Sequence, residues 1–444
     1  MSGSADTIFA LASGAGRAAI AVLRISGPDS GPVLTALCGA LPPPRRAVVR
    51  ALRDADGDVL DRAMVLWLPG PGSYTGEDSA ELHLHAGRAV IDAVASALGA
   101  HGLRPAEPGE FTRRAFLNGK LDLVAAEAVH DLVSAETEAQ RRQALRQLEG
   151  ALGALYRDWS DRLRIALSRQ EALIDFPEED LPPEVEADLL ASVESLRSEI
   201  GAHLDDGQRG EKLREGLFFA ITGPPNVGKS SLINALAERD VAIVSPIPGT
   251  TRDVIETRIV LGGVPVTLAD TAGLRDTPDP VEAEGVRRAR SRAASADLVI
   301  RVVEAGGNET RPGEAGAGEA GAPFDAPAGA LTVANKADLH PETRPGVMAV
   351  SALTGMGLDA LRARLAAEAR ALTETSGPPP LTRARHRIAL RAAFRWLTDA
   401  GDAIEPELRG EAMRLALRAL GTITGRVGVE DILDSIFRQF CIGK

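Results

Sequence analysis

The spacing of apolar residues along this chain changes at three places, and the changes divide it. Over the first 120 residues the runs AAIAVLRISG, AMVLWLPG and SAELHLHAG, each bounded by Gly or Pro, predict short strands mixed with helices. From Leu121 the period becomes helical, with Leu121, Val124, Ala125, Ala128, Val129, Leu132 and Val133 on one face. That pattern continues to about Leu173, loosened at Gly150 and Gly153, and stops at DFPEED (175–180), read as a solvated acidic turn. A second helical stretch covers roughly 185–213. At Gly216 strands return: GLFFAITG reads as a buried strand, and strands alternate with helices to about Glu374. SGPPP (376–380) is a linker, because consecutive prolines cannot continue a helix. Beyond it, 382–400, 406–420 and 429–440 read as helices. The expected domain spans are therefore 1–120, 121–215, 216–375 and 376–444, with an α/β domain inserted between two segments of one helical domain. The Gly/Ala-rich stretch 304–330 joins two strands and is expected to be a mobile surface loop.

Composition narrows the class without deciding it. A length of 444 residues allows two to four domains, each with its own core. The net charge of −12 argues against indiscriminate coating of nucleic acid, though not against a local basic face. Two distant cysteines, Cys38 and Cys441, suit a reducing compartment. With no signal-peptide pattern and no run of about 20 apolar residues, a cytoplasmic location off the membrane is expected.

The chemistry is concentrated in the inserted span. GPPNVGKS (223–230) fits GxxxxGK followed by Ser, directly after a strand and opening a helix, as a phosphate-binding loop requires. Glycines let backbone N–H groups wrap phosphates, and the helix N-terminus adds positive potential. Asn226, Val227, Gly228, Lys229, Ser230 and Ser231 are the expected contacts, with Lys229 on the β- and γ-phosphates and Ser230 a magnesium ligand. The loop Ser245, Pro246, Ile247, Pro248, Gly249, Thr250 and Thr251 supplies the second magnesium-ligating hydroxyl from Thr251. Asp270, Thr271, Ala272 and Gly273 follow a strand and read as the metal-side and γ-phosphate motif. Asn335, Lys336, Ala337 and Asp338, then Ser351, Ala352 and Leu353, read the base. The Asp338 carboxylate accepts two hydrogen bonds from guanine, a donor pair that adenine lacks. Together these motifs predict a GTP-hydrolysing enzyme with a Ras-like P-loop fold on a doubly wound sheet. Leu274 stands where many small GTPases carry a water-orienting Gln, so that group comes from elsewhere; Asp276, Asp279, Glu282 and Glu284 are candidates that spacing does not separate.

Weaker signals stay open on residues alone. His83 and His85 share one strand face and read as ordinary strand packing or ligand-site lining, since a metal pair would lack an evident third ligand. Arg387, Arg391 and Arg395 recur at i, i+4 and i+8, and the only acid in 381–399 is Asp399, so both a solvated face and contact with nucleic-acid phosphates stand. Cys441 is either a reactive thiol in a projecting tail or a small residue that caps the helical core.

Outside the GTPase motifs, LRIS (23–26), PGPGSYTGED (69–78), PGEFTRRAFLNGKLDL (108–123), LIDFPEED (173–180) and the terminal FCIGK (440–444) resemble the MnmE (TrmE) family of tRNA-modification GTPases over essentially the whole chain. The resemblance implies an N-terminal α/β domain that dimerises and binds a 5-formyl or methylene tetrahydrofolate derivative, a discontinuous helical domain and the inserted GTPase domain. It also implies an MnmG-type FAD protein as partner in a heterotetramer. With tRNA, the pair modifies the wobble uridine at the 5 position in the carboxymethylaminomethyl or aminomethyl manner. Carried over residue by residue, Asn226, Ser245, Ile247 and Thr250 would hold an activating potassium ion, and Glu282 would position the attacking water. Arg24, Glu81, Lys120 and Lys444 would contact folate. Pro246 and Pro248 depart from the commoner loop sequence, and so does the 304–330 stretch. A timing switch such as a ribosome-assembly GTPase is the competing reading, but the folate-like N-terminal region has no obvious use there.

Overall fold

The computed structural model describes residues 6–14, 16–175, 183–238, 256–270, 296–306, 330–340, 346–375, 377–428 and 430–444. The chain forms two compact units, one made of Met1–Val133, Leu145–Ser198 and Ala389–Lys444, the other of Ser134–Ala144 and Glu199–Ile388.

The first unit carries a six-stranded sheet in the order β3-β4-β5-β2-β1-β6. Its strands are β1 (Ile8–Leu11), β2 (Ile20–Ser26), β3 (Val48–Arg53), β4 (Val59–Leu68), β5 (Ser79–His85) and β6 (Arg104–Pro105). All neighbours are antiparallel except β1 and β6. Alternation gives the sheet one apolar face. Leu23, Ile25, Val65, Trp67, Leu82 and Leu84 pack there with Leu34 and Leu37 of α1 (Ser30–Cys38) and Val94 and Leu98 of α2 (Arg88–Ala100). Arg24, Glu81 and His83 fall at the opposite parity, on the other face.

Two further helices, α3 (Glu110–Leu117) and α4 (Leu123–Val133), lead into the helical part. Of the predicted face, Val124, Ala125 and Ala128 are buried in α4, but Val133 is exposed. Leu123, Ala126 and Glu127, off that face, are buried as well, so this helix is covered on more than one side. The long predicted helix is interrupted: α5 (Glu138–Leu148) and α6 (Ala151–Asp175) are separated at Gly150, whose φ is +91°. Gly153 is no interruption. It lies within α6, where an added Cβ would stand 2.6 Å from Asp122 Oδ2, so the glycine clears room for the Asp122–Arg157 ion pair. The second helical stretch likewise divides, into α7 (Pro183–Leu204) and α8 (Arg209–Glu215).

The second unit holds α8, α9 (Lys229–Glu238) and α10 (Leu358–Thr373) around a sheet in the order β12-β11-β10-β7-β9-β8. Here β7 is Leu217–Thr222, β8 Glu256–Leu261, β9 Val264–Asp270, β10 Leu298–Glu304, β11 Leu331–Asn335 and β12 Met348–Ala349. Every pair is parallel except the edge hairpin β8–β9. The chain starts in the middle at β7, builds one side, then crosses to the other, and ligands of such sheets bind where the order reverses. This unit extends beyond 216–375. Gln140 and Gln143 donate to the carbonyls of Arg214 and Gly210, and Lys212 pairs with Asp297 at 3.1 Å. The two sheets and the helical segments make a multidomain α/β plus helical fold.

The last helices are α11 (Ala384–Asp402), α12 (Pro406–Thr424) and α13 (Glu430–Phe437). Within the first unit, α12 packs along α6, with Gln170 Nε2 donating to Pro406 O. Phe437 and Phe440 join Leu123 and Ala126 in one cluster.

The arginine stripe requires a correction. Arg387 is 6% exposed and donates to Asp206 Oδ1 (2.7 Å), Glu211 Oε1 (3.1 Å) and Leu204 O (2.8 Å), so it does not contact tRNA phosphates. Its acids lie far upstream, in a separate stretch of chain where helical periodicity gives no warning. Arg391 and Arg395 are exposed, and Arg395 lies over the Trp396 ring. Removing one partner of a buried charge cluster strands the other charges, so Arg387→Ala should destabilise its unit by ~3 kcal/mol. Arg391→Ala should stay within about 0.5 kcal/mol of wild type. Urea titration of both variants checks this, and equal midpoints would contradict it.

Candidate functional site

The phosphate loop leaves the sheet at the C-terminal end of β7 and enters α9 at Lys229. Gly223 has φ +143°, and a Cβ there would lie 2.1 Å from Val302 O on β10, an approach that only glycine permits. Gly228 has φ +89° with room for no Cβ, since Asn335 Nδ2 would be 2.3 Å away. Asn226 is left-handed at φ +64° and exposed, and it makes no hydrogen bond among the described residues. Its neutral amide is thus available to a ligand of the loop. Val227 is buried and Ser231 exposed.

Lys229 folds back over this loop. Its Nζ donates to the carbonyls of Gly223 (2.9 Å) and Pro224 (2.6 Å), and its side chain is buried. Burial depresses the ammonium pKa, and the charge of Asp270 opposes that shift. A cation held on weak neutral acceptors in this way is poised to exchange them for phosphate oxygens.

Asp270 reaches the loop because β9 pairs in parallel with β7, setting Asp270 beside Ile221. Ser230 Oγ donates to Asp270 Oδ2 at 2.8 Å. A hydroxyl and a carboxylate side by side are hard oxygen donors, and this set fits a magnesium ion.

The base side is tied to the phosphate side by one carboxamide. Asn335, at the end of β11, donates from Nδ2 to Val227 O (2.8 Å) and accepts at Oδ1 from Ala352 N (3.0 Å). Lys336 follows at φ +63°, with Nζ 2.9 Å from Glu304 Oε1. A non-glycine residue in that conformation is strained and marks a functional turn. Ala337 N donates to Val350 O, and the fully buried Ser351 accepts from Thr354 N. Asp338 is exposed and makes no hydrogen bond among the described residues, and Leu353 beside the loop is also exposed. These groups lie on loops at the C-terminal ends of parallel strands of one sheet, the phosphate loop after β7 and an uncommitted carboxylate after β11, joined by the Asn335 bridge. Ser245, Pro246, Ile247, Pro248, Gly249, Thr250, Thr251, Thr271, Ala272 and Gly273 lie outside the described residues. So do Asp276, Asp279, Glu282, Glu284 and nearly all of the 304–330 and 175–180 stretches.

In the first unit, strand register sets Arg24 opposite Glu81. Arg24 Nε and Nη2 both donate to Glu81 Oε1, at 3.2 and 2.9 Å. His83 Nε2 lies 3.4 Å from Glu81 Oε2, whereas His85 pairs with Asp61. The two histidines thus take separate carboxylates, and among the described residues no group of three metal-binding side chains occurs. Lys120 Nζ donates to Pro71 O. Gly443, at φ +96°, sits where a Cβ would lie 2.3 Å from Leu11 O, so the tail bearing exposed Cys441 and Lys444 is laid against the end of β1. Of the four expected folate contacts, the structure brings Arg24 and Glu81 into contact and sets Lys120 on the Pro71 carbonyl, while the Lys444 amide donates to Cys441 O.

Residue spacing missed the groups that fix this region. Arg114, 4% exposed, binds Asp6, Glu77 and Glu110 together. Burial would raise the Glu110 carboxyl, but Arg104 and Arg114 hold it below its ordinary value. The repeated charged residues of 104–114 were the available signal.

Two family models match the chain: "GTP-binding protein TrmE N-terminus" over 7–120 and "MnmE helical domain" over 123–441. The protein described as tRNA modification GTPase MnmE from Gluconacetobacter diazotrophicus is 61% identical over 442 residues, covering 98% of both chains. Its counterpart in Granulibacter bethesdensis is 57% identical, covering 99% of this chain and all of its own. That of Rhodospirillum rubrum is 54% identical, covering 99% of each.

The contact between these two loops yields a test. Gly228→Ala adds a methyl where Asn335 stands and strains the backbone, so GTP affinity should fall about a hundredfold, or ~3 kcal/mol. Titration with a fluorescent GTP analogue measures it. Affinity within about threefold of wild type would contradict the geometry.

Proposed function

The chain belongs to the MnmE family of tRNA modification GTPases, and on that premise we propose that it is a potassium-activated GTP hydrolase that drives modification of the tRNA wobble uridine at the 5 position. That it hydrolyses GTP in tRNA modification follows from the family. The observation that carries this reading is that the match runs through the N-terminal and helical regions as well as the GTPase motifs. A timing switch has no use for those regions.

In this reading the spans 1–120, 121–215 with 376–444, and 216–375 are the folate-binding and dimerisation domain, the helical domain and the inserted G domain. The protein acts in the cytoplasm as a homodimer, in a heterotetramer with a flavoprotein of the MnmG type. No described helix is long and apolar enough to cross a membrane.

Within the G domain, Lys229 leaves the carbonyls of Gly223 and Pro224 for the β- and γ-phosphates. Ser230 and Thr251 would hold magnesium beside Asp270; bound there, the ion neutralises charge on the phosphates. Asp338 selects guanine, and the Asn335 carboxamide keeps the base and phosphate ends in register. Asn226, with Ser245, Ile247 and Thr250, would hold potassium, which would supply the charge stabilisation that an arginine finger provides elsewhere. Glu282 orients the attacking water, the task that Leu274 cannot perform. In the N-terminal domain, Arg24, Glu81, Lys120 and Lys444 hold a tetrahydrofolate derivative, formyl or methylene, as one-carbon donor. Cys441, exposed within the C-terminal tail, serves either as nucleophile or as a ligand-positioning group.

Nucleoside analysis of tRNA from cells lacking the protein should show wobble uridines without the 5-substituent, and restoration by the wild-type chain. Purified protein should turn GTP over on the order of tenfold faster in potassium than in sodium, and Asn226→Ala should abolish that difference. Unchanged wobble uridines would remove the modification reading, and equal rates in the two salts would remove the potassium site.

A further inference from the structure

Arg24 is immobilised to a degree unusual for a half-buried arginine. Glu81 occupies its Nε and Nη2. Its Cζ stands 5.6 Å from the centroid of the Tyr74 ring and 5.8 Å from that of Phe111, both within range of cation–π attraction. The two rings come from different segments, Tyr74 from the 69–78 loop and Phe111 from α3, and each is independently fixed. Phe111 is fully buried. The Tyr74 hydroxyl shares a hydrogen bond of 2.9 Å with Thr112 Oγ1. Loop and helix are themselves joined, since Arg114 of α3 pairs with Glu77 and Asn118 Nδ2 donates to Thr75 O.

A free arginine side chain samples many rotamers, and ordering it during binding weakens affinity by the entropy lost. Here most of that freedom is already gone. Nη1 is left without a hydrogen bond among the described residues, although the side chain keeps 21% of its surface exposed. We infer that Tyr74 and Phe111 are positioning residues for the folate site: they fix the Arg24 guanidinium so that Nη1 acts as a preorganised donor to a ligand carbonyl or carboxylate. This rests on the folate reading proposed above. Tyr74, in the middle of the PGPGSYTGED segment, is the accessible half of the pair, whereas Phe111 belongs to a packed cluster with Ile8 and Ala10 and is unsuited to substitution.

The test is a double-mutant cycle on the full-length protein, with 5-formyltetrahydrofolate as probe in isothermal titration calorimetry. Tyr74→Leu removes the ring and should weaken binding about tenfold, whereas Tyr74→Phe keeps the ring and should stay within about threefold of wild type. In an Arg24→Lys background, Tyr74→Leu should have little further effect, because the planar group on which the ring acts is absent. Thermal melts of each variant identify any loss that comes from unfolding, and Tyr74→Met serves as the ringless variant if Tyr74→Leu melts early. If removing the ring weakens binding by the same factor in the Arg24→Lys background as in wild type, the two effects simply add. The positioning role is then overturned while the folate site stands. If wild-type protein binds no 5-formyltetrahydrofolate, the folate reading falls and this inference with it.

Discussion

The Asn335 carboxamide is the joint on which the nucleotide site depends. It is buried, and it reaches in two directions at once, to the Val227 carbonyl in the phosphate loop and to the Ala352 amide in the loop after β12. Phosphate donors and base reader lie at the ends of different strands, and without a cross-brace they would move independently. A side chain able to donate and accept on one short stem meets this need, and a carboxylate would not, since it has no donor. Gly228 follows from the same constraint, because the amide passes where a side chain would otherwise stand. Lys336 follows too: its left-handed turn carries the chain from the buried Asn335 to the exposed Asp338.

The first unit solves a related problem with charge. The region around Arg24 and Glu81 is assembled from β2, β5, the 69–78 loop and α3, segments distant in sequence. Arg114 ties three carboxylates, and burial of such a cluster is tolerable only when every charge has partners. Ser26 and Thr75 extend the network by a hydroxyl pair at 2.7 Å. The tail depends on shape instead. Gly109 and Gly443 each stand where a Cβ would meet a backbone oxygen, Phe437 O and Leu11 O respectively, so backbone packs directly on backbone at the C-terminal end of the last helix and in the tail that follows it.

How much of this was legible in the sequence depended on the range of the interaction. The phosphate loop was readable because its requirements are local: a strand, two glycines, a lysine and a hydroxyl at fixed spacing. Strands β2, β4 and β5 were readable from alternation, and α4 from its apolar stripe. Gly153 misled because a glycine in a helix looks like a break, and the Asp122 carboxylate that it accommodates comes from before α4. Arg387 misled for the same reason on a larger scale, since Asp206 and Glu211 come from a different stretch of chain. The contacts of Arg24 with Tyr74 and Phe111 join three segments, and no periodicity within any one of them announces the meeting.

The central claim is that the nucleotide held between Lys229 and Asp338 drives uridine modification. Guanine presents an amino group at C2 where xanthine presents a carbonyl, so replacing the Asp338 carboxylate by an amide exchanges an acceptor for a donor and should exchange the accepted base. The decisive measurement is wobble-uridine modification by Asp338→Asn protein, reconstituted with the proposed flavoprotein partner, in GTP or in xanthosine triphosphate. The account predicts modification with xanthosine triphosphate and little with GTP. Modification that persists with GTP alone, while xanthosine triphosphate is hydrolysed, would contradict it.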